Sequence, residues 1–183
     1  YLTIYCHPLW SRVEREDISE LRGHTAIEIY NHGCEVESHT GLHLDHWDSF
    51  LRRGIKVWGV ATDDSHQWLK DYCGGWIMVN APRLTVEDVA AAIAAGRFYS
   101  SSGPVITDFG LDGDSVYVEC SPARAIHIVT YEAKGRSFYA NREEVVCSAV
   151  HRLRGDEIFV RAEVVGVDGG TAWTNPIFLD RLG

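Results

Sequence analysis

The chain has 183 residues, 45% of them hydrophobic and 23% charged, an ordinary composition for a globular protein long enough to bury a core. Its 17 basic against 26 acidic residues give a formal charge of −9, which argues against electrostatic binding to nucleic acid or to an anionic membrane. No apolar run approaches the ~20 residues of a membrane-spanning helix. Five scattered cysteines without a C-x-x-C suit a reducing, cytoplasmic setting better than a disulfide framework.

The first segment, YLTIYCHP, has Leu2 to Cys6 as a buried strand, so the sequence reads as the later part of a longer protein. REDISELR follows as a short helix closed by Gly23 in a left-handed cap. TAIEIYN is a second strand, closed by Asn31. A polar, His-rich loop leads to DHWDSFLRRG, a helix with Asp45 as cap, Trp47, Phe50 and Leu51 on one face, and Gly54 as its stop. IKVWGVA and GGWIMVNA are two further strands. TVEDVAAAIAAG then sets Thr85 and Asp88 at capping-box spacing, carries Val86, Val89, Ala90 and Ile93 on one face, and ends at Gly96. Strand followed by helix, three times over, predicts an α/β arrangement of parallel strands with crossover helices.

After FYSSSGP the helical period disappears. SVYVECSP, AIHIVTYEA, EEVVCSAVHRL and DEIFVRAEVV are β-branched or alternating runs separated by turn residues. Residues 1–104 are therefore expected to form the α/β part and 105–183 a small antiparallel β-sandwich-like domain, with Ser101 to Pro104 as the boundary. Asp168-Gly169-Gly170 is a turn signal, and TAWTNPIF a last strand with Trp173 packed inside.

The chemistry collects at strand ends, where ligands gather in parallel α/β sheets. VWGVATDDSH delivers Asp64 and His66 to the end of the third strand. The first strand ends at His7, and the second at Asn31 after Glu28. Imidazole and carboxylate together are the donors of divalent-metal sites. Residues i and i+2 of an extended segment project to one side, which would let Asp64 and His66 touch neighbouring ions. Asp63 either caps the turn or orients a ligand. His24, His32, His39, His43 and His46 lie in one region with Cys34, but no pair has a zinc-finger spacing. Trp47, Trp58, Trp68 and Trp76 read as core and cleft wall.

In that order, YCHP, AIEIYN and GVATDDSH resemble the later motifs of the PHP (polymerase and histidinol phosphatase) family. GGWIMVNA…GRFYSSSGP and AWTNPIFL are similar to its metallohydrolase branch, which includes carbaryl hydrolase-like proteins. The resemblance implies the later part of a distorted (β/α)7 barrel with up to three divalent ions (zinc, manganese or iron) at the strand ends. It also implies metal-dependent hydrolysis of a small-molecule ester, first of all a phosphate ester, by a metal-activated water, with carbamate or amide hydrolysis as the alternative. Carried over residue by residue, His7, Asp64 and His66 are the metal ligands, and Asp64 and His66 also form the catalytic pair. Glu28 and Asn31 match a segment near that site and are expected to contact substrate; by their place just after the last helix, Arg97 and Ser101, with Ser100 and Ser102 beside it, are either further substrate contacts or a polar linker. The family's opening H-x-H, its acidic bridging ligand and further histidines belong before His7, where only six residues stand. A missing N-terminal segment of the same protein is thus an expected partner, and a catalytically incompetent interaction module is the competing reading.

Overall fold

The structure, a computed structural model of the chain, describes residues 1–66, 70–142 and 144–179. It is mixed α/β, mostly strand with few helices, and divides into two compact units, Tyr1–Ser100 and Ser101–Gly183. No helix among the described residues is long and apolar enough to cross a membrane.

The first unit is built on a three-stranded parallel sheet ordered β1 (Ile4–Tyr5), β2 (Ala26–Asn31), β3 (Trp58–Thr62). The central β2 buries Ala26, Ile27 and Ile29 completely, as expected for a strand covered on both faces. Helix α2 (Leu44–Leu51) contributes Trp47, Phe50 and Leu51, all fully buried, and the Trp47 indole N–H donates to the Val57 carbonyl at 2.9 Å. Burying side chains of this size stabilises by about 1.5–3 kcal/mol each, so this face anchors the helix. Strand β4 (Trp76–Val79), helix α3 (Val86–Ala94) and β5 (Phe98–Ser101) follow. Trp58, Ile77, Val79 and Ile93 pack against buried Ala26, Val60 and Phe98.

Several expectations change here. The first strand is two residues long, and Leu2 and Ile4 are exposed rather than buried, because β1 is the outer strand of its sheet and pairs on one side only. REDISELR forms turns, with the Asp17, Ser19 and Leu21 N–H groups bonded to carbonyls three residues back. Ile18 is its one buried apolar anchor, too little for a helical stripe. The His-rich segment instead holds a helix, α1 (His32–Ser38), whose cap is Asn31: its side chain accepts from the Cys34 N–H. Helix α2 begins after His43 without a side-chain cap, and Asp45 sits in its first turn, where its charge complements the helix dipole. Thr85 caps α3 through the Asp88 N–H as its spacing predicts, but of that helix only Ala92 is buried and Val86 stays 81% exposed. No (β/α)7 barrel is present among the described residues.

The second unit contains no helix among its described residues. Its strands are β6 (Ile106–Asp112), β7 (Ser115–Thr130), β8 (Arg136–Tyr139), β9 (Val146–Arg152), β10 (Phe159–Gly166), β11 (Thr171–Thr174) and β12 (Ile177–Phe178). SVYVECSP and AIHIVTYEA, expected as two strands, are the single 16-residue β7. Pro122 is tolerated inside it because the register against β9 shifts between Glu119 and Ala123, a bulge where no ladder donor is needed. The first half of β7 pairs with β6 and β9 and the second half with β10 and β8, all antiparallel. Pairing therefore runs continuously through β7, in place of the two separate sheets of a sandwich. Val116, Val118, Ile126, Phe159, Val160, Val164 and Trp173 fill its core.

Candidate functional site

Because β1, β2 and β3 are parallel, their carboxyl ends lie at one edge, which gathers His7, Glu28, Asn31, Asp63 and Asp64. Glu28 ties that edge together. Its Oε2 accepts from the His7 N–H at 2.7 Å and from the Asn31 amide at 3.1 Å, while Oε1 accepts from the Thr62 hydroxyl at 2.9 Å. In a regular strand Glu28 and Asn31, three apart, would face opposite sides. The β2 register against β3 shifts between Glu28 and Tyr30, and this bulge turns both side chains to the same side. The Asn31 amide also donates to Asp64 Oδ2 at 3.1 Å.

Above this network lies a cleft of about 620 Å³ lined by His7, Trp10, Cys34, Asp64, His66 and Asp71, among others. Asp64 Oδ1 lies 3.4 Å from His66 Nε2. The Asp71 carboxylate fixes the turn between them, accepting from the His66 N–H and, at 3.2 Å, from the Ser65 hydroxyl. His7 Nδ1 is 2.9 Å from the Ser11 hydroxyl, and its ring meets Trp10 edge to face with centroids 5.2 Å apart. His7 and Asp64 both adopt left-handed backbone, with φ of 30° and 48°. Asp64 is thus not in the extended segment expected for a D-x-H pair; a tight turn brings its carboxylate to His66. Such conformations cost about 1–3 kcal/mol each and cluster at functional sites.

Gly33 lets α1 approach this turn. A Cβ there would stand 2.9 Å from the Asp64 carbonyl oxygen, and its N–H donates to the Asp63 carbonyl at 2.9 Å. Asp63 caps the loop beyond: its carboxylate accepts from the N–H groups of Cys73, Gly74 and Gly75 at 2.7, 2.8 and 2.8 Å. Burial alone would raise the Asp63 carboxyl, but those three donors outweigh it and hold it below the ordinary range. Burial, then the charges of Asp64, Glu28 and Glu37, pushes the Cys34 thiol up to about 12, so it lines the cleft as a neutral thiol.

The remaining expected residues separate. Glu28 and Asn31 are buried and their polar atoms are committed to neighbours, which places them as ties within the edge. Arg97 is exposed on the turn after α3 and is not among the cleft-lining residues. Ser101 is fully buried, its hydroxyl donating to the Pro104 carbonyl and accepting from the Gly103 N–H. Ser100 likewise bridges the Gly59 carbonyl and the Ala61 N–H. The histidine-rich region disperses as well. His46 faces the Val13 carbonyl, His32 the Tyr30 hydroxyl, and both ring nitrogens of fully buried His43 face carbonyls of Glu28 and Thr40. Of the tryptophans, Trp47 is core and Trp58 and Trp76 are half-buried, while Trp68 lies outside the described residues. Asp71 and Trp10 went unmarked in the sequence, since neither stands at a strand end or in a periodic run.

Among the described residues no group of three or more His, Cys, Asp or Glu side chains converges tightly enough to hold a metal ion. No family model, curated protein or solved structure matches the chain.

Proposed function

We propose that this chain carries part of a metal-dependent hydrolase site of the phosphoesterase type, similar to the later metal-binding motifs of the PHP family. The observation that supports the reading is the Asp64–His66 pair, 3.4 Å apart, opening into the cleft that His7 also lines. The donor chemistry fits zinc, manganese or iron: two imidazoles and a carboxylate, with Asp71 a further carboxylate on the wall. His7, Asp64 and His66 would each serve a different ion of the cluster, short of the three protein ligands a catalytic ion takes.

When bound, a divalent ion supplies Lewis-acid charge that polarises a substrate oxygen and acidifies water. The chain's own residues prepare for it. Asn31 orients one carboxylate oxygen of Asp64 and leaves the other to the cleft. Asp71 fixes the backbone that presents His66. Ser11 and Trp10 fix the His7 ring, and Trp10 adds an apolar wall for the organic part of an ester.

The competing reading is an interaction module without activity. Zinc and manganese titration of the 183-residue chain, with hydrolysis of an aryl phosphate and an aryl carbamate, separates the two. Metal binding that falls at least about tenfold in both Asp64→Ala and His66→Ala supports the site, on the scale set by loss of metal-site residues. Affinity unchanged in both variants refutes it. Binding that depends on both residues, without turnover of either substrate, selects the inactive module, and turnover of the carbamate alone moves the substrate class.

A further inference from the structure

The register of β7 against β9 sets two cysteines face to face in the second unit. Glu119 pairs with Ser148 and Ala123 with Val146, so Cys147 is the one β9 residue opposite Cys120, Ser121 and Pro122. Val118 pairs with Ala149, and both are buried on the inner face. Two residues further along each strand, alternation brings Cys120 and Cys147 to that same face. Opposed residues of antiparallel strands have Cα atoms about 4.5 or 5.5 Å apart. A disulfide spans about 4.4–6.8 Å between Cα atoms, a range that takes in both ladder spacings and some widening at the bulge. Both cysteines are free, Cys120 buried and Cys147 exposed at the rim. Burial, and after it the Cys147 sulfur, pushes the Cys120 thiol up to about 11, so the two groups sense each other.

We propose that Cys120 and Cys147 are a redox-sensitive dithiol that closes into a cross-strand disulfide on reaction with a small-molecule disulfide, an oxidised low-molecular-weight thiol. The exposed Cys147 loses its proton and attacks one sulfur of the reagent, forming a mixed disulfide and releasing one thiolate, which takes up that proton. Cys120 then gives up its own proton and attacks the Cys147 sulfur. The second thiolate leaves and is protonated. Two protein thiols are oxidised, one reagent disulfide is reduced to two thiols, and atoms and electrons balance. Burial of Cys120 fixes the order, because the reagent reaches Cys147 first. The bond ties β7 to β9 across the bulge and encloses β8 within the closed loop.

The test incubates the full chain with oxidised or reduced glutathione, blocks free thiols by alkylation, and maps peptides by mass spectrometry without reduction. The expected result is a chain lighter by two hydrogens, a linked Cys120–Cys147 peptide, and a melting temperature raised on the order of 10 °C over the reduced chain. Cys147→Ser, at an exposed position, should abolish both the link and the shift. Cys120→Ala should leave glutathione standing on Cys147. A persistent glutathione adduct on Cys147 of the unsubstituted chain, with Cys120 still open to alkylation in the unfolded sample, would overturn the proposal. So would a link that joins either cysteine to Cys6, Cys34 or Cys73.

Discussion

Replacing Glu28 with alanine removes the acceptor that the His7 N–H, the Asn31 amide and the Thr62 hydroxyl share at 2.7, 3.1 and 2.9 Å. A hydrogen bond to a charged group contributes about 1.5–3 kcal/mol, and a donor left buried costs about 1–3 kcal/mol. His7 and Thr62 are only half-buried and can recover water, so the three losses do not add in full. A destabilisation of about 3 kcal/mol is expected from those bonds. Glu28→Gln should behave differently. Its oxygen can occupy the Oε2 position facing two donors, and its NH2 can donate to the Thr62 hydroxyl, which rotates to accept. That variant should lose about 1 kcal/mol, the charge contribution alone. Urea unfolding followed by tryptophan fluorescence reads the effect, because five of the six tryptophans precede Ser100. At an m-value of about 2 kcal/mol/M, the alanine midpoint falls by about 1.5 M and the glutamine midpoint by about 0.5 M. A glutamine variant as unstable as the alanine one would show that packing, and not the shared acceptor, joins the three strand ends.

Asp63→Ala should cost about 1–2 kcal/mol, since the carboxylate is half-exposed, and should speed amide exchange at Cys73, Gly74 and Gly75 above all other positions. The folded-state pKa of Asp63 is depressed, so its contribution is full above the unfolded value near ~4 and is lost as pH falls through the folded one. Uniform exchange across residues 70–75 in the variant would contradict the capping role. His24 packs against Phe50 with ring centroids 4.9 Å apart, and neither of its buried nitrogens has a hydrogen-bond partner among the described residues. Burial, then Arg22, lowers its pKa, so its contribution to stability is full above about 6.5 and declines as pH falls toward the folded value. Stability compared at pH 7.5 and 5.5 should drop less in His24→Leu than in the parent chain, and an equal drop would refute the assignment.

What the sequence disclosed was strand endings. The apolar runs before His7, Asn31 and Asp63 mark β1, β2 and β3, and strand–helix alternation gives the parallel sense of β2 and β3; β1 and β2 are also parallel, although the segment read as their crossover helix forms turns. The sequence did not disclose how their shared edge is wired. The meeting of Glu28 and Asn31 depends on a bulge, which leaves no periodic signature, and Asp71 acts through a turn formed after the strand has ended. Helix α1 was hidden because its seven residues, HGCEVES, carry one buried side chain, Cys34, and its start is fixed by the Asn31 cap instead of an apolar stripe. The division of SVYVECSP from AIHIVTYEA fails at Pro122, which stands at a bulge and costs the ladder nothing.

Strand β7 also decides where this protein can be lengthened. Four neighbours take their register from residues 115–130, so an insertion anywhere in that stretch would unzip more than one pairing at once. The turn tips at Gly113 and Gly155 have φ of 58° and 92° and open space where a side chain would stand. Each doubling of a flexible loop adds only about 0.6 kcal/mol of closure cost, so a peptide tag or a reporter domain spliced at either tip should leave the unit folded.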